Sequence, residues 1–155
     1  MKKPTILISR LCLVITLAAL GFLVSCKPDE PTLTPEQKVT KILTENGGTW
    51  TLPSVAGVTV DGLDVTQDLF AGFSITFGEG TLTTTGTTPV WLRQDTWSFK
   101  DESATVIIRG QDNKEITISE ITDNQLVLTL EWEYDTFEGG RAKSIKGTHQ
   151  FTMEK

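Results

Sequence analysis

His149 is the only histidine in the chain, and it is the first side chain to consider for chemistry. The last predicted strand runs from about Ser144 to Glu154, and within it His149 shares its parity with the apolar Phe151 and Met153. A neutral imidazole on a buried face could act as an acid–base group or contact a ligand. It could also be a core histidine tied to a backbone carbonyl or a buried acid, and the residues favour this structural role.

Two further side chains could contact a ligand. Arg141 lies at the turn that enters the last strand, where it could pair with Glu138 or Asp135, stack on an aromatic ring or bind an anion. Structural capping is the favoured role. Trp91 lies between Pro89 and Arg93, and an exposed indole there could stack on a sugar ring. An ordinary core position is the favoured alternative.

The sequence motifs of catalysis are missing from the chain. It contains no Gly-x-Ser-x-Gly elbow, no pair of histidines, no EF-hand loop and no glycine-rich phosphate loop. The single histidine has no serine partner that the sequence reveals. We therefore expect a protein that is not an enzyme and that uses no cofactor and no metal ion.

The first 26 residues predict where the protein is located in the cell. Lys2, Lys3 and Arg10 precede an apolar run over residues 11–24, which is typical of a secretory signal and short of the ~20 residues that span a bilayer. Leu-Val-Ser followed by Cys26 resembles the bacterial lipobox. That resemblance implies cleavage before Cys26 and acyl chains on Cys26. The alternative is a single transmembrane anchor. We expect a signal peptide at 1–25, a lipidated tether at 26–33 and one β domain at 34–155.

The charge of the mature chain limits its partners. All 20 acidic residues but only 11 of the 14 Lys and Arg follow residue 25, so the formal net charge is −9. Nucleic acid and anionic lipid headgroups need a basic surface, and neither is expected to bind. Cys12 leaves with the signal and Cys26 is consumed by lipid, so no disulfide is expected.

The remaining residues predict one helix followed by strands. Thr34, Pro35 and Gln37 form a capping box, and Asn46 to Gly48 supplies the stop. The hydrophobic period then changes to two over eight to ten short segments, which predicts an all-β antiparallel meander closed into a small barrel, with a β-sandwich as the alternative. We expect Val55–Leu69 to hold a short strand with a loop or helical turn, and Thr83–Pro89 to be a loop. Seven aromatic residues have inward parity, which predicts a mostly filled interior: Trp50, Phe73, Phe77, Trp97, Phe99, Trp132 and Phe151.

The chain carries an ordered set of motifs: Gly48-Thr49-Trp50, Asp95 to Phe99, Ile116 to Leu130, Gly140-Arg141 and Gly147 to Phe151. This set resembles the small lipocalin-like lipoproteins of Bacteroidota. The resemblance implies a barrel whose Trp50 lies at the closed end with an arginine packed over it, for which Arg141 is the candidate. Asp29 and Glu30, just after Cys26, are similar to the surface-export signal of that phylum, which implies an outer-membrane, lipid-anchored and surface-exposed protein.

These observations favour a membrane-anchored lipoprotein that acts as a non-catalytic binding module. A filled barrel leaves at most a small pocket at one rim, suited to an apolar or amphipathic ligand. His149, Trp91 and Arg141 are the candidate contacts. The alternative is a structural or interaction lipoprotein that presents its loops to a protein or glycan partner.

Overall fold

The computed structural model describes residues 32–139 and 141–155. The expected signal peptide, Cys26, Asp29, Glu30 and most of the tether lie outside the described residues. Neither helix of the described part is long and apolar enough to cross a membrane.

The predicted N-terminal helix is confirmed as α1, Pro35–Thr44. The Thr34 hydroxyl accepts from the Gln37 N–H at 3.2 Å, and the Gln37 side chain accepts from the Thr34 N–H at 2.9 Å, so both halves of the capping box are present. A 3-10 turn, Glu45–Gly47, follows. Gly48 has a φ of +65°, and a Cβ there would lie 2.1 Å from the Phe77 carbonyl oxygen, so only glycine fits.

The rest of the chain is the predicted meander, with one short helix, α2, in the Val55–Leu69 stretch. The strand β5 extends to Thr85, so the expectation of a loop from Thr83 was wrong by three residues. Leu82 and Thr84 are buried while the threonines beside them are exposed, and this alternation suits a half-buried strand better than a loop. The elements are β1 Thr49–Thr51, β2 Val58–Val60, β3 Leu63–Asp64, α2 Thr66–Leu69, β4 Ser74–Gly78, β5 Thr81–Thr85, β6 Gln94–Phe99, β7 Val106–Arg109, β8 Glu115–Ile121, β9 Gln125–Trp132, β10 Thr136–Glu138, β11 Arg141–Ser144 and β12 Gly147–Glu154.

Eight strands form a closed antiparallel barrel in the order β1-β4-β5-β6-β7-β8-β9-β12, which confirms the barrel over the sandwich. The β12 strand closes it, because Glu154 pairs with Thr51 of β1 while the whole of β12 pairs with β9. Nearer its start, β12 also pairs with β2. The β10–β11 hairpin forms a separate two-stranded sheet between the end of β9 and the start of β12.

The barrel has two distinct ends. We call the end covered by α1, with the β4–β5 turn and Lys155, the helix end. There the Trp50 indole N–H donates to the Leu43 carbonyl at 3.1 Å. The other end, formed by α2, residues 86–93, the β7–β8 turn and the β10–β11 hairpin, is the loop end.

Side chains fill the interior, as the inward aromatic parity predicts. Five of the seven aromatic residues are buried, and Phe99 and Trp132 are partly buried. Phe70, which follows α2, adds a fully buried ring that the strand pattern did not indicate. It meets Phe151 edge-on at 5.1 Å between ring centroids, and Phe73 lies 5.6 Å from Phe151.

Candidate binding site at the loop end of the barrel

The polarity of the interior divides along the barrel axis. At the helix end the buried residues are apolar, including Leu43, Trp50 and Met153. All the buried polar side chains of the described chain lie toward the loop end. Each comes from α2 or from the part of a strand nearest that end, and we call this set the polar layer: Thr66, Thr84, Asp95, Arg109, Ser144 and His149.

His149 points into the barrel, as its parity predicts, and it is fully buried. Its Nδ1 lies 3.1 Å from the Gly147 carbonyl oxygen, so Nδ1 carries the proton and Nε2 is left as an acceptor. This bond to a backbone carbonyl is the predicted structural role. Nε2, however, is buried with no hydrogen-bond partner in the described chain. The ring lies between Phe70, at 6.1 Å, and a parallel Phe151, at 6.3 Å.

Burial keeps the imidazole neutral. Loss of hydration lowers the pKa of His149 below its usual 6.5, because the charged form is the one that water stabilises most. The Gly147 carbonyl and the carboxylates of Asp61 and Glu131 raise the pKa in part, without reversing the shift. At neutral pH the side chain is therefore an uncharged acceptor surrounded by phenyl rings.

Trp91 is buried at 4% exposure, so the idea of an exposed indole that stacks on a sugar is wrong. Residues 86–93 fold over the loop end because Thr84 holds them. Its N–H donates to the Arg93 carbonyl, and its hydroxyl donates to the Leu92 carbonyl at 3.0 Å. The indole then packs against Phe151 at 5.4 Å and Phe73 at 6.1 Å.

The Trp91 indole N–H differs from those of the other tryptophans. Each of the other three indole N–H groups has an acceptor: Leu43 for Trp50, Gly78 and Thr81 for Trp97, and Ser144 for Trp132. Trp91 Nε1 is buried, and the described residues provide it no acceptor. A buried indole normally finds a partner, so this position is a poor one for a permanent core tryptophan.

Arg109 is the functional candidate that the sequence analysis missed. It ends β7 with the same inward parity as Ile107, and it is 1% exposed. Its Nε and Nη2 donate to the two carboxylate oxygens of Asp112, and its Nη1 donates to the Val90 carbonyl at 2.6 Å. The guanidinium lies 5.5 Å from the centre of the Trp91 ring. Alternation along Val106–Arg109 was the signal that could have placed Arg109 inside.

Asp112, the partner of Arg109, is ionised more readily than usual because its pKa is lowered. Partial burial raises the pKa of Asp112, but bonds from the Arg109 side chain and the Lys114 N–H, with the charges of both residues, lower it overall. The positive charge of Arg109 is thus compensated at the barrel rim, as a buried guanidinium requires.

Asp95 completes the layer from β6 at 6% exposure. Its Oδ1 accepts from the Thr96 N–H at 2.7 Å and from the Gln111 N–H at 3.1 Å. Its Oδ2 is buried, and the described part of the chain gives it no donor. Asp95 Oδ2, His149 Nε2 and Trp91 Nε1 are referred to below as the three unpaired atoms.

The expected pairing of Arg141 with Trp50 is wrong. Arg141 begins β11 in the hairpin at the loop end, in register with Glu138, whereas Trp50 lies at the helix end. The length of β12, at about 3.3 Å per residue, separates those two ends. Lys155 takes the expected place instead, with its Nζ 4.5 Å from the centre of the Trp50 ring and 2.6 Å from the Ile42 carbonyl oxygen. The contacts of the Arg141 side chain lie outside what the structure describes.

The layer combines apolar rings with unpaired polar atoms. Phe70, Phe73 and Phe151 provide an apolar wall, and the three unpaired atoms offer two acceptors and one donor. Among residues 32–139 and 141–155, no group of three or more His, Cys, Asp or Glu side chains is placed to hold a metal ion.

Comparison of the chain with family models, with curated proteins and with solved structures gives no match. Membership of the lipocalin-like lipoproteins therefore stays a prediction.

The buried imidazole predicts acid sensitivity. Because the folded pKa lies below 6.5, the unfolded chain takes up the proton first as the pH falls. The free energy of unfolding should be at its full value above pH 6.5 and should decrease below it, by at most about 1.4 kcal/mol per pH unit. Urea unfolding between pH 7 and about pH 5 measures this slope. His149→Phe should flatten it, whereas Gln150→Ala, on the outer face of the same strand, should not. An unchanged slope in His149→Phe would contradict this assignment.

Proposed function

We propose that the protein is a membrane-anchored lipoprotein whose barrel is a non-catalytic binding module for a small amphipathic ligand at the loop end. The observation that carries the proposal is the presence of the three unpaired atoms toward the same end of an otherwise well-bonded core, two of them on side chains that pack against Phe151. Most buried polar groups in proteins are bonded, and leaving one unsatisfied costs about 1–3 kcal/mol. A ligand that bonds to these atoms would recover that cost.

Trp91 occupies the place that a ligand would take. Its indole fills the space beside Phe73 and Phe151, yet its N–H gains no hydrogen bond there. The backbone on both sides is held, by Arg109 at Val90 and by Thr84 at Leu92. Rotation of the indole out of the barrel, with the backbone in place, would admit an apolar group of similar size.

The surroundings of His149 support binding rather than catalysis. Its two nearest rings are Phe70 and Phe151, and its Nδ1 is engaged by the Gly147 carbonyl. A general base needs a nucleophile or a substrate proton within hydrogen-bond reach. The imidazole is instead placed to accept a hydrogen bond from a bound molecule.

Sequence features support the anchor. The lipobox-like Leu23–Cys26 supports lipidation of Cys26. Asp29 and Glu30 support attachment to the outer membrane with exposure at the cell surface.

A second candidate function is presentation of the loop end to a protein or glycan. Its specific support is the exposure of three large apolar side chains, on β3, between β9 and β10, and on β10: Leu63 at 67%, Tyr134 at 64% and Phe137 at 68%. Exposed apolar surface is typical of interaction sites where it forms a patch.

Substitution of Cys26 tests the anchor. The variant Cys26→Ser should appear in the soluble fraction instead of the membrane fraction, because the acyl chains supply the membrane affinity. Its free energy of unfolding should equal that of the lipidated protein, since the domain starts at residue 34. Fractionation with mass spectrometry measures both location and acyl mass. Membrane retention of Cys26→Ser, or an unmodified Cys26 in the native host, would refute the anchor.

Binding is tested on protein released from the membranes of its own host. Native mass spectrometry should show a bound small molecule. The purified protein should also bind the neutral probe N-phenyl-1-naphthylamine, and this small molecule should compete with the probe. His149→Phe should weaken probe binding by about tenfold, since the lost hydrogen bond is worth roughly 1 kcal/mol or more. The control Gln150→Ala should bind normally. If the purified barrel contains no ligand and does not bind the probe, the proposal is refuted. A protein that co-purifies with the unsubstituted chain but not with Phe137→Ser would favour the second candidate function.

A further inference from the structure

We infer that the polar group of the ligand is a hydrogen-bond donor, a hydroxyl or an amine, and that the loop end discriminates against carboxylates. This inference rests on the proposed binding function and names the ligand class that the site prefers. It follows from the balance of donors, acceptors and charges around the polar layer.

The atoms available to a ligand are acceptors. Once the Trp91 indole rotates away, its N–H leaves with it, and His149 Nε2 and Asp95 Oδ2 remain. Imidazole Nε2 carries no proton here, because Nδ1 bonds to the Gly147 carbonyl. Both remaining atoms need an O–H or N–H from the ligand.

The one cation of the layer is already engaged. Arg109 directs Nε and Nη2 to Asp112 and Nη1 to Val90. A ligand carboxylate could reach this guanidinium only by displacing Asp112, whose pKa is lowered by that same contact. The exchange would replace one carboxylate with another and expose the first to water, so it gains little.

Inside the polar layer, the charge that remains is negative. Arg109 and Asp112 cancel, which leaves the carboxylate of Asp95 within the layer. Two more acids flank the strand that carries His149. Asp61 accepts from the Thr148 N–H at 3.0 Å, and Glu131 accepts from the Thr148 hydroxyl at 2.7 Å. In the poorly hydrated interior the charge of Asp95 repels an anion and favours a cation or a neutral donor, while the exposed Asp61 and Glu131 act more weakly through water.

Three probes with one apolar chain test the inference: octanol, octylamine and octanoate. Calorimetric titration of the Cys26→Ser chain at pH 7 should show octanol and octylamine binding at least about tenfold tighter than octanoate, a difference of about 1.4 kcal/mol. Asp95→Asn keeps the Oδ1 acceptor of the Thr96 and Gln111 N–H groups, removes the charge and puts an N–H donor in the place of Oδ2. It should reduce the preference for octylamine over octanoate by about tenfold and change the affinity for octanol less.

A second measurement needs no substitution in the polar layer, so it does not depend on whether Asp95→Asn folds. The ¹⁵N chemical shift of His149 Nε2 should move when octanol or octylamine is added, because an acceptor nitrogen shifts when it gains a hydrogen bond. Octanoate should leave it unchanged. Octanoate binding as tightly as octanol would overturn this inference while supporting the proposed function. Failure of all three probes to bind would overturn both.

Discussion

The last strand, β12, hydrogen-bonds to β9 along its whole length and to β1 and β2 on its other edge, and it thereby closes the sheet into a barrel. Closure fixes which face of every strand is inside, because a shift of one residue would reverse all of them. His149 and Phe151 are forced into the interior by that register. The barrel must then accommodate an imidazole among phenyl rings, and the bond to Gly147 satisfies only one of its two nitrogens.

The distribution of buried polar groups along the axis separates an apolar half of the barrel from a half that holds the polar layer. At the helix end, Trp50 is bonded, packed under α1 and covered by Lys155. At the loop end, the three unpaired atoms remain in a region where paired groups would be more stable. Arg109 ties the β7–β8 turn to the segment that carries Trp91, so the backbone there is held although the indole N–H is unpaired.

The sequence predicts the parts of this arrangement that depend on local patterns. The capping box at Thr34, the alternation of the strands and the inward parity of His149 are all periodic or nearest-neighbour features, and all are confirmed. The predictions that were wrong concern contacts that depend on how the barrel closes. Arg141 was expected over Trp50, yet the two lie at opposite ends, and Lys155 reaches Trp50 only because β12 returns to β1. The burial of Trp91 comes from an aperiodic segment held by Thr84 and Arg109, two residues that no short pattern connects to it.

Hydrogen exchange of the four indole N–H groups tests whether the Trp91 indole can leave the loop end while the barrel stays folded. NMR of the Cys26→Ser chain at neutral pH gives the opening free energy of each indole. We expect Trp91 to exchange through a local opening, well below the free energy of global unfolding, while Trp50 and Trp97 exchange only when the barrel unfolds. Equal protection of Trp91 and Trp50 would contradict a displaceable indole, since Trp91 would then be a fixed part of the core.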